Sequence, residues 1–299
     1  MPVTQRIRRS MIFLNTQRAA LVQDAFVYHP DCVIFDLEDA VAEGEKDSAR
    51  IQLYQTLKGL DYQGVERWVR VNGLDTNLLD EDIRAAVAGG AEGIRLPKTE
   101  TADDVQLVAT KVTAAEKEFG RPVGTTMLMA ALESPLAIIN AYQIATSSDR
   151  LMGIALSAGD YTRTMHAKRT VAGTELFAAR SQMLIAARAA GVMAFDTVYT
   201  DTDHPEGFQP EVQMIKDMGF DGKSCINPQQ VKEANAIFNP SATEIKHAIH
   251  VLQAVQRNKD AGVGVLTVDG KMVDVAWVEG AQRILKLAQA AGLYKGDLV

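Results

Sequence analysis

Two short apolar runs in this chain each lead to a carboxylate. Met127 to Leu132 runs straight into Glu133, and Leu151 to Leu156 continues through Ser157-Ala158-Gly159 to Asp160. A buried strand that sets one acid at a rim is a way to build a metal or catalytic site. Glu133 and Asp160 are therefore expected to share one divalent cation. Two carboxylates without clustered histidines favour a hard, oxygen-ligated ion, Mg2+ or Mn2+, over zinc. The five histidines assemble no site. His247 and His250 form an i,i+3 pair on a late helix, and only His166 follows a strand that carries one of the acids.

Other strand-like runs deliver further charges: Glu38 and Asp39, Arg70, Lys98 and Asp196. A lone polar residue after a strand is ordinary surface, but several converging on one rim would line a site. The planar fork of Arg70 suits a carboxylate or a developing oxyanion. Lys98 could hold an anion, or could form a Schiff base with a ketone. P-loop, GxSxG, HExxH and kinase patterns are absent.

The elements that must position these residues alternate between short apolar runs and amphipathic segments. Strands are expected at 10–14, 32–37, 68–71, 94–96, 127–132, 151–156, 193–198 and 220–226, with helical spacing between them. Gly89-Gly90 and Gly191 read as helix ends. Thr101 and Ser134 read as N-caps, with Pro135 at a first helical position. Eight strand–helix units in order predict an α/β fold, a (β/α)8 TIM barrel over residues 1–238. No Gly-rich nucleotide turn follows any strand, which disfavours a doubly wound sheet. After Asn239-Pro240-Ser241 the pattern changes to helix, a hairpin around Asp269-Gly270, and helix. Residues 239–299 are expected to form an appendage.

The net charge of −7 gives no electrostatic support for a nucleic-acid partner. Cys32 and Cys225 lie inside apolar runs and read as buried thiols. No run approaches the roughly 18 apolar residues needed to span a bilayer, and no signal-peptide pattern opens the sequence, so a cytoplasmic location is expected.

At these residues the chain resembles the citrate lyase beta-subunit family, within the HpcH/HpaI aldolase-like group of Mg2+-dependent lyases. The matching blocks are Arg8-Arg9-Ser10-Met11, Phe35-Asp36-Leu37-Glu38-Asp39-Ala40-Val41, Val69-Arg70-Val71-Asn72 and Arg95-Leu96-Pro97-Lys98-Thr99. They continue as Leu132-Glu133-Ser134-Pro135, Phe195-Asp196-Thr197-Val198-Tyr199, Gly219-Phe220-Asp221-Gly222-Lys223-Ser224, Ile226-Asn227-Pro228 and Gly270-Lys271-Met272-Val273-Asp274. The resemblance implies metal carboxylates at Glu133 and Asp160, and catalytic roles for Arg70, Glu38 and the tail aspartate Asp274. It implies substrate contacts from Arg70, Lys98, Arg9 and Glu133. The implied reaction is Mg2+-dependent cleavage of a citryl thioester to oxaloacetate and an acetyl thioester. A related malyl-, methylmalyl- or citramalyl-CoA lyase or synthase, or an altered paralogue that only binds, are the alternatives. The implied assembly is a homotrimer in which a neighbour's appendage closes the site, working with an acyl carrier (gamma) and an alpha subunit. The chain departs from the family pattern at Asn15-Thr16, where Pro-Gly is usual, and at Ser157-Ala158-Gly159-Asp160, where Gly-Ala-Glu-Asp is usual.

Overall fold

Eight parallel strands close on themselves in chain order: β1 Ser10–Asn15, β2 Cys32–Asp36, β3 Glu66–Arg70, β4 Gly93–Leu96, β5 Met127–Leu132, β6 Leu151–Leu156, β7 Met193–Asp196 and β8 Gly222–Cys225. Each pairs with the next, and β1 pairs with β8 through Ser10 opposite Lys223. The fold is the expected (β/α)8 barrel, seen in a computed structural model that describes residues 6–261, 266–268, 271–273 and 275–296. Between the strands run α1 Ala19–Gln23, α2 Lys46–Gly59, α3 Leu79–Gly89, α4 Ala102–Glu118, α5 Pro135–Ile139, α6 Ala141–Ala145, α7 Ala158–Thr164, α8 Phe177–Ala190 and α9 Phe208–Met218. After β8 comes α10 Pro228–Phe238. The helical stretch between β1 and β2 is broken into α1 and a 3-10 turn at Ala25–Tyr28. The segment beyond Asp160 lies partly within α7.

The helix ends follow local chemistry. Thr101 and Asp104 form a reciprocal capping box at the start of α4. Ser134 accepts the Ala137 N–H and Pro135 takes the first position of α5, so the chain turns into a helix directly after Glu133. Gly90 ends α3 in the left-handed conformation that a side chain disfavours.

Strand side chains alternate between the barrel interior and the helix layer. Cys32 and Ile34, Met127 and Met129, and Met193 and Phe195 are interior pairs two residues apart. Burying each large apolar side chain contributes about 1.5–3 kcal/mol. Trp68 fits because β4 offers Gly93 opposite it, where a Cβ would collide with the indole. Gly153 makes the same allowance for Phe195, whose Cε2 would lie 2.8 Å from an added Cβ. The floor is closed by a buried pair, with Arg8 Nε donating to Glu66 at 2.6 Å and the Cys32 thiol donating to the same carboxylate at 3.3 Å. Cys32 and Cys225 are both buried free thiols.

Contacts divide the chain into a barrel unit, Arg8–Asn235, and a second unit that takes in residues 236–299. The second unit contains α11 Ala242–Ala261, an antiparallel pair of β9 Leu266–Val268 with β10 Lys271–Val273, and α12 Val275–Ala290. Ala248, Val251 and Leu252 of α11 pack on Ala281 and Leu285 of α12. His247 lies edge-on to Trp277 at 6.1 Å, a packing contact. No helix among the described residues is long and apolar enough to cross a membrane.

Candidate active site

Alternation along β2 turns Asp36, two residues beyond Ile34, into the barrel at its carboxyl end. Asp36 is buried and grips Arg70 through both oxygens, with Nε at 2.8 Å and Nη2 at 2.6 Å. The same carboxylate accepts the backbone N–H groups of Glu38 at 2.9 Å and Ala40 at 3.2 Å, which pins the turn after β2. Lys46, the first residue of α2, braces that turn from outside. Its ammonium donates to the carbonyls of Leu37 at 2.7 Å and Glu38 at 2.8 Å, and to Asn72 at 2.9 Å. The Glu38 side chain thus has a fixed origin. Its carboxylate sits 2.9 Å from Arg70 Nη1 and 3.1 Å from Lys98 Nζ. Burial raises the Glu38 pKa, and Asp39 adds to this, against the pull of Arg70 and Lys98.

Lys98 reaches Glu38 from a left-handed backbone position, φ 49°, in the turn after β4. Burial pulls its ammonium down, but Glu38 outweighs this and its pKa is raised. A Schiff-base lysine needs the opposite shift. Lys98 is thus held as a cation against Glu38.

Glu133 continues the interior register of Met127, Met129 and Ala131. It is 4% exposed, and its Oε1 has no hydrogen-bond partner. Burial, then Glu38 and Asp160, push its pKa up to about 7, while Arg95 and Arg70 pull the other way. Asp160 stands in the first turn of α7, a quarter exposed, with Arg163 Nη2 at 2.5 Å. Thr197, just past β7, accepts the Ala158 N–H at 3.0 Å and so fixes the start of α7. No group of three or more potential metal-binding side chains gathers among the described residues. Mg2+ does not require one, because it binds through one or two carboxylates and completes its shell with water and substrate. An orphaned, buried Glu133 oxygen within the field of a second carboxylate fits such an ion.

Two expected residues are not brought to this rim. Asp196 follows Phe195, which faces inward, so alternation turns Asp196 out of the barrel towards the helix layer. There it is fully buried between Arg180, at 2.8 Å, and Lys223, at 2.7 Å, with Glu211 closing the cluster. Arg9 precedes β1 and therefore lies at the amino-terminal end of the barrel. It holds Asp31 through its backbone N–H at 2.7 Å and its Nη2 at 2.7 Å. A strand-end site lies at the other face, so Arg9 has no route to it from here. Asp274 lies outside the described residues. His166, exposed and with φ 54°, follows α7 without joining the acids.

Two residues were missed by strand-end reading. Asp36 sits inside its strand rather than beyond it, and Arg95 is a charge in the middle of the four-residue strand β4. Period-two alternation places both on the interior face. Asn15, one of the departures from the family pattern, donates to the Ala40 carbonyl at 2.9 Å and so ties β1 to the pinned turn.

A closed (β/α)8 barrel with an acid pair and a clamped arginine at its carboxyl rim defines a class of metal-assisted enzymes. The sequence matches the HpcH/HpaI aldolase/citrate lyase family over residues 9–228, and the chain belongs to that family. It is 50% identical to the citrate lyase subunit beta of Leuconostoc mesenteroides subsp. cremoris, over 98% of this chain and 97% of that one. Among solved structures it is similar to the CitE protein of Mycobacterium tuberculosis in complex with magnesium, acetoacetate and coenzyme A. That match has a TM-score of 0.74 and 28% identity, over 96% of this chain and 99% of the other. A citrate lyase beta subunit from the same organism, complexed with oxaloacetate and magnesium, aligns with a TM-score of 0.67 and 29% identity, over 79% of this chain and 99% of the other.

Proposed function

We propose that the protein is a Mg2+-dependent carbon–carbon lyase that cleaves a citryl thioester to oxaloacetate and an acetyl thioester, as a citrate lyase beta subunit. The observation that carries this reading is the buried Glu133 with its unpartnered Oε1, set beside Asp160 and the Arg70–Glu38 pair. Glu133 and Asp160 would hold the ion. When bound, Mg2+ supplies Lewis-acid polarisation of the substrate's hydroxyl and adjacent carboxylate oxygens.

The chain's own residues do the rest. Glu38 takes the hydroxyl proton, helped by the raised basicity that burial gives it. The C–C bond breaks, its electrons pass to the thioester as an enolate, and the hydroxyl carbon becomes the ketone of oxaloacetate. Arg70 faces the enolate oxygen from a position that Asp36 holds fixed, so no reorganisation is needed as charge develops. Protonation of the enolate carbon falls to Asp274, a role that rests on the family resemblance. Lys98 contributes a cation for the substrate's anionic groups.

The assembly follows the same resemblance. Residues 239–299 close the site of a neighbouring copy in a homotrimer, and the protein works in the cytoplasm with an acyl carrier and an alpha subunit. Purified chain incubated with Mg2+ and either citryl-CoA or malyl-CoA tests the substrate. Higher kcat/KM for citryl-CoA, with oxaloacetate released, supports the reading. A preference for malyl-CoA would make it a malyl-thioester lyase instead, and no turnover of any thioester would leave a binding subunit.

A further inference from the structure

The buried cations Arg8, Arg180 and Lys223 and the half-buried Arg70 each meet a carboxylate, and buried Lys46 fills its donors with two carbonyls and an amide. Arg95 does neither. It is 3% exposed, and among the described residues no carboxylate forms an ion pair with it. Its Nη1 reaches only two neutral groups, Met129 Sδ at 3.8 Å and Ser224 Oγ at 3.5 Å, and its Nε has no partner. Its guanidinium carbon lies 5.1 Å from the centroid of the Phe13 ring. Burial and the neighbouring Arg70 charge lower its pKa to about 10. A guanidinium kept dry and unpaired is costly, and an arriving anion would relieve that cost.

The position says which anion. Arg95 is the register partner of Arg70, so it lies on the strand beside the proposed enolate-stabilising group. Glu133 is near enough to pull on its pKa but does not pair with it. A cation held by Glu133 and Asp160 would cancel the Glu133 charge, leaving Arg95 only the fields of Asp36 and Glu38, both of which are already paired with Arg70. Ala131 and Ala155 pair on the inward register of β5 and β6 and present only methyl groups at the level below the rim.

A citryl thioester carries two carboxylates on its hydroxyl carbon, one attached directly and one through a methylene. The direct one lies beside the hydroxyl at the acid pair. We propose that Arg95 binds the second, the carboxymethyl arm that a malyl thioester lacks, and so determines specificity for the citryl substrate. This rests on the function proposed above.

The test uses Arg95→Met and Arg95→Lys in the full chain with Mg2+, and reads equilibrium binding of oxaloacetate and of pyruvate by calorimetry. Both ketoacids carry the direct carboxylate, and only oxaloacetate has the second. Arg95→Met removes an unpaired charge and is expected to fold, which its melting curve will verify. The wild-type chain should prefer oxaloacetate. Arg95→Met should lose about 100-fold in oxaloacetate affinity while pyruvate binding stays within a factor of about 3, and Arg95→Lys should fall between. Equal losses for both ligands, no loss, or a wild-type chain that does not discriminate would overturn the proposal. The binding readout is independent of turnover. Arg95-dependent oxaloacetate selectivity in a chain that fails to cleave citryl-CoA would uphold this inference and reject the proposed reaction.

Discussion

Arg70 and Arg95 are register partners on adjacent strands, and each holds its guanidinium carbon 5.1 Å from the centroid of the same Phe13 ring. Only Arg70 meets carboxylates: Asp36, Glu38 and, at 3.5 Å, Asp39. One arginine is thus locked in place and the other is left to take a ligand. The contrast organises the floor of the site.

Arg70→Met should lower kcat/KM for citryl-CoA by roughly 100- to 1000-fold, the size expected for losing one preorganised oxyanion donor. It should also cost about 3–5 kcal/mol of stability, because Asp36 is left buried and unpaired. Steady-state kinetics and urea denaturation check the two losses separately. Arg70→Lys should recover little of either, since an ammonium cannot hold both Asp36 oxygens in the fork geometry.

Glu133 makes the metal-free protein sensitive to pH. Its pKa rises from an ordinary 4.5 to about 7 in the folded chain. Between those values the folded state keeps a proton that the unfolded state has released. Metal-free stability should therefore fall as pH rises across that window, by roughly 3 kcal/mol from this group. Glu133→Gln should remove that slope in melts recorded with chelator. At pH 8, Mg2+ at 100 times its Kd should add about 2.7 kcal/mol to the wild-type chain and nothing to the variant.

Asp196 belongs to the scaffold. Asp196→Asn leaves Arg180 and Lys223 poorly compensated inside the helix layer and should cost about 3–5 kcal/mol, with Mg2+ affinity unchanged. Burial alone would raise the Asp196 pKa, but Lys223 and Arg180 overcome it and hold the group near 2. Its contribution is present above the ordinary aspartate value and is lost as pH falls towards 2. Denaturation between pH 5 and 2, compared with Asp196→Asn, measures it.

Gly93→Ala should destabilise the barrel by about 1–3 kcal/mol or more, because the added methyl meets the Trp68 indole inside a packed interior. Gly90→Ala acts instead through backbone strain at a helix end, φ 95°, where nothing crowds the new atom. Melting curves of the two variants should separate overpacking from strain: a smaller side chain at position 68 should partly rescue Gly93→Ala and leave Gly90→Ala unchanged.

The barrel was legible because strands alternate with helices over the whole first part of the chain, and the caps at Thr101 and Ser134 mark where helices begin. Glu133 was legible because it follows an apolar strand on the inward register. Asp196 looked equivalent, but it stands one residue after inward-facing Phe195, so a strand-end position alone did not fix its face. Arg9 was judged by its block, and its place before β1 sets it at the far end. Arg95 and Asp36 sit within strands, where an apolar neighbourhood hides a charge unless alternation is counted residue by residue. The helix around Asp160 was hidden by a short run with Gly159 near its start.

The most direct measurement of the central claim is oxaloacetate release from citryl-CoA by the wild-type chain and by Asp160→Asn, each with Mg2+ and with chelator. Release is expected only from the wild-type chain with Mg2+, restored by adding the metal back after chelation. Release that continues in full after chelation, or that Asp160→Asn sustains at the wild-type rate, would contradict it.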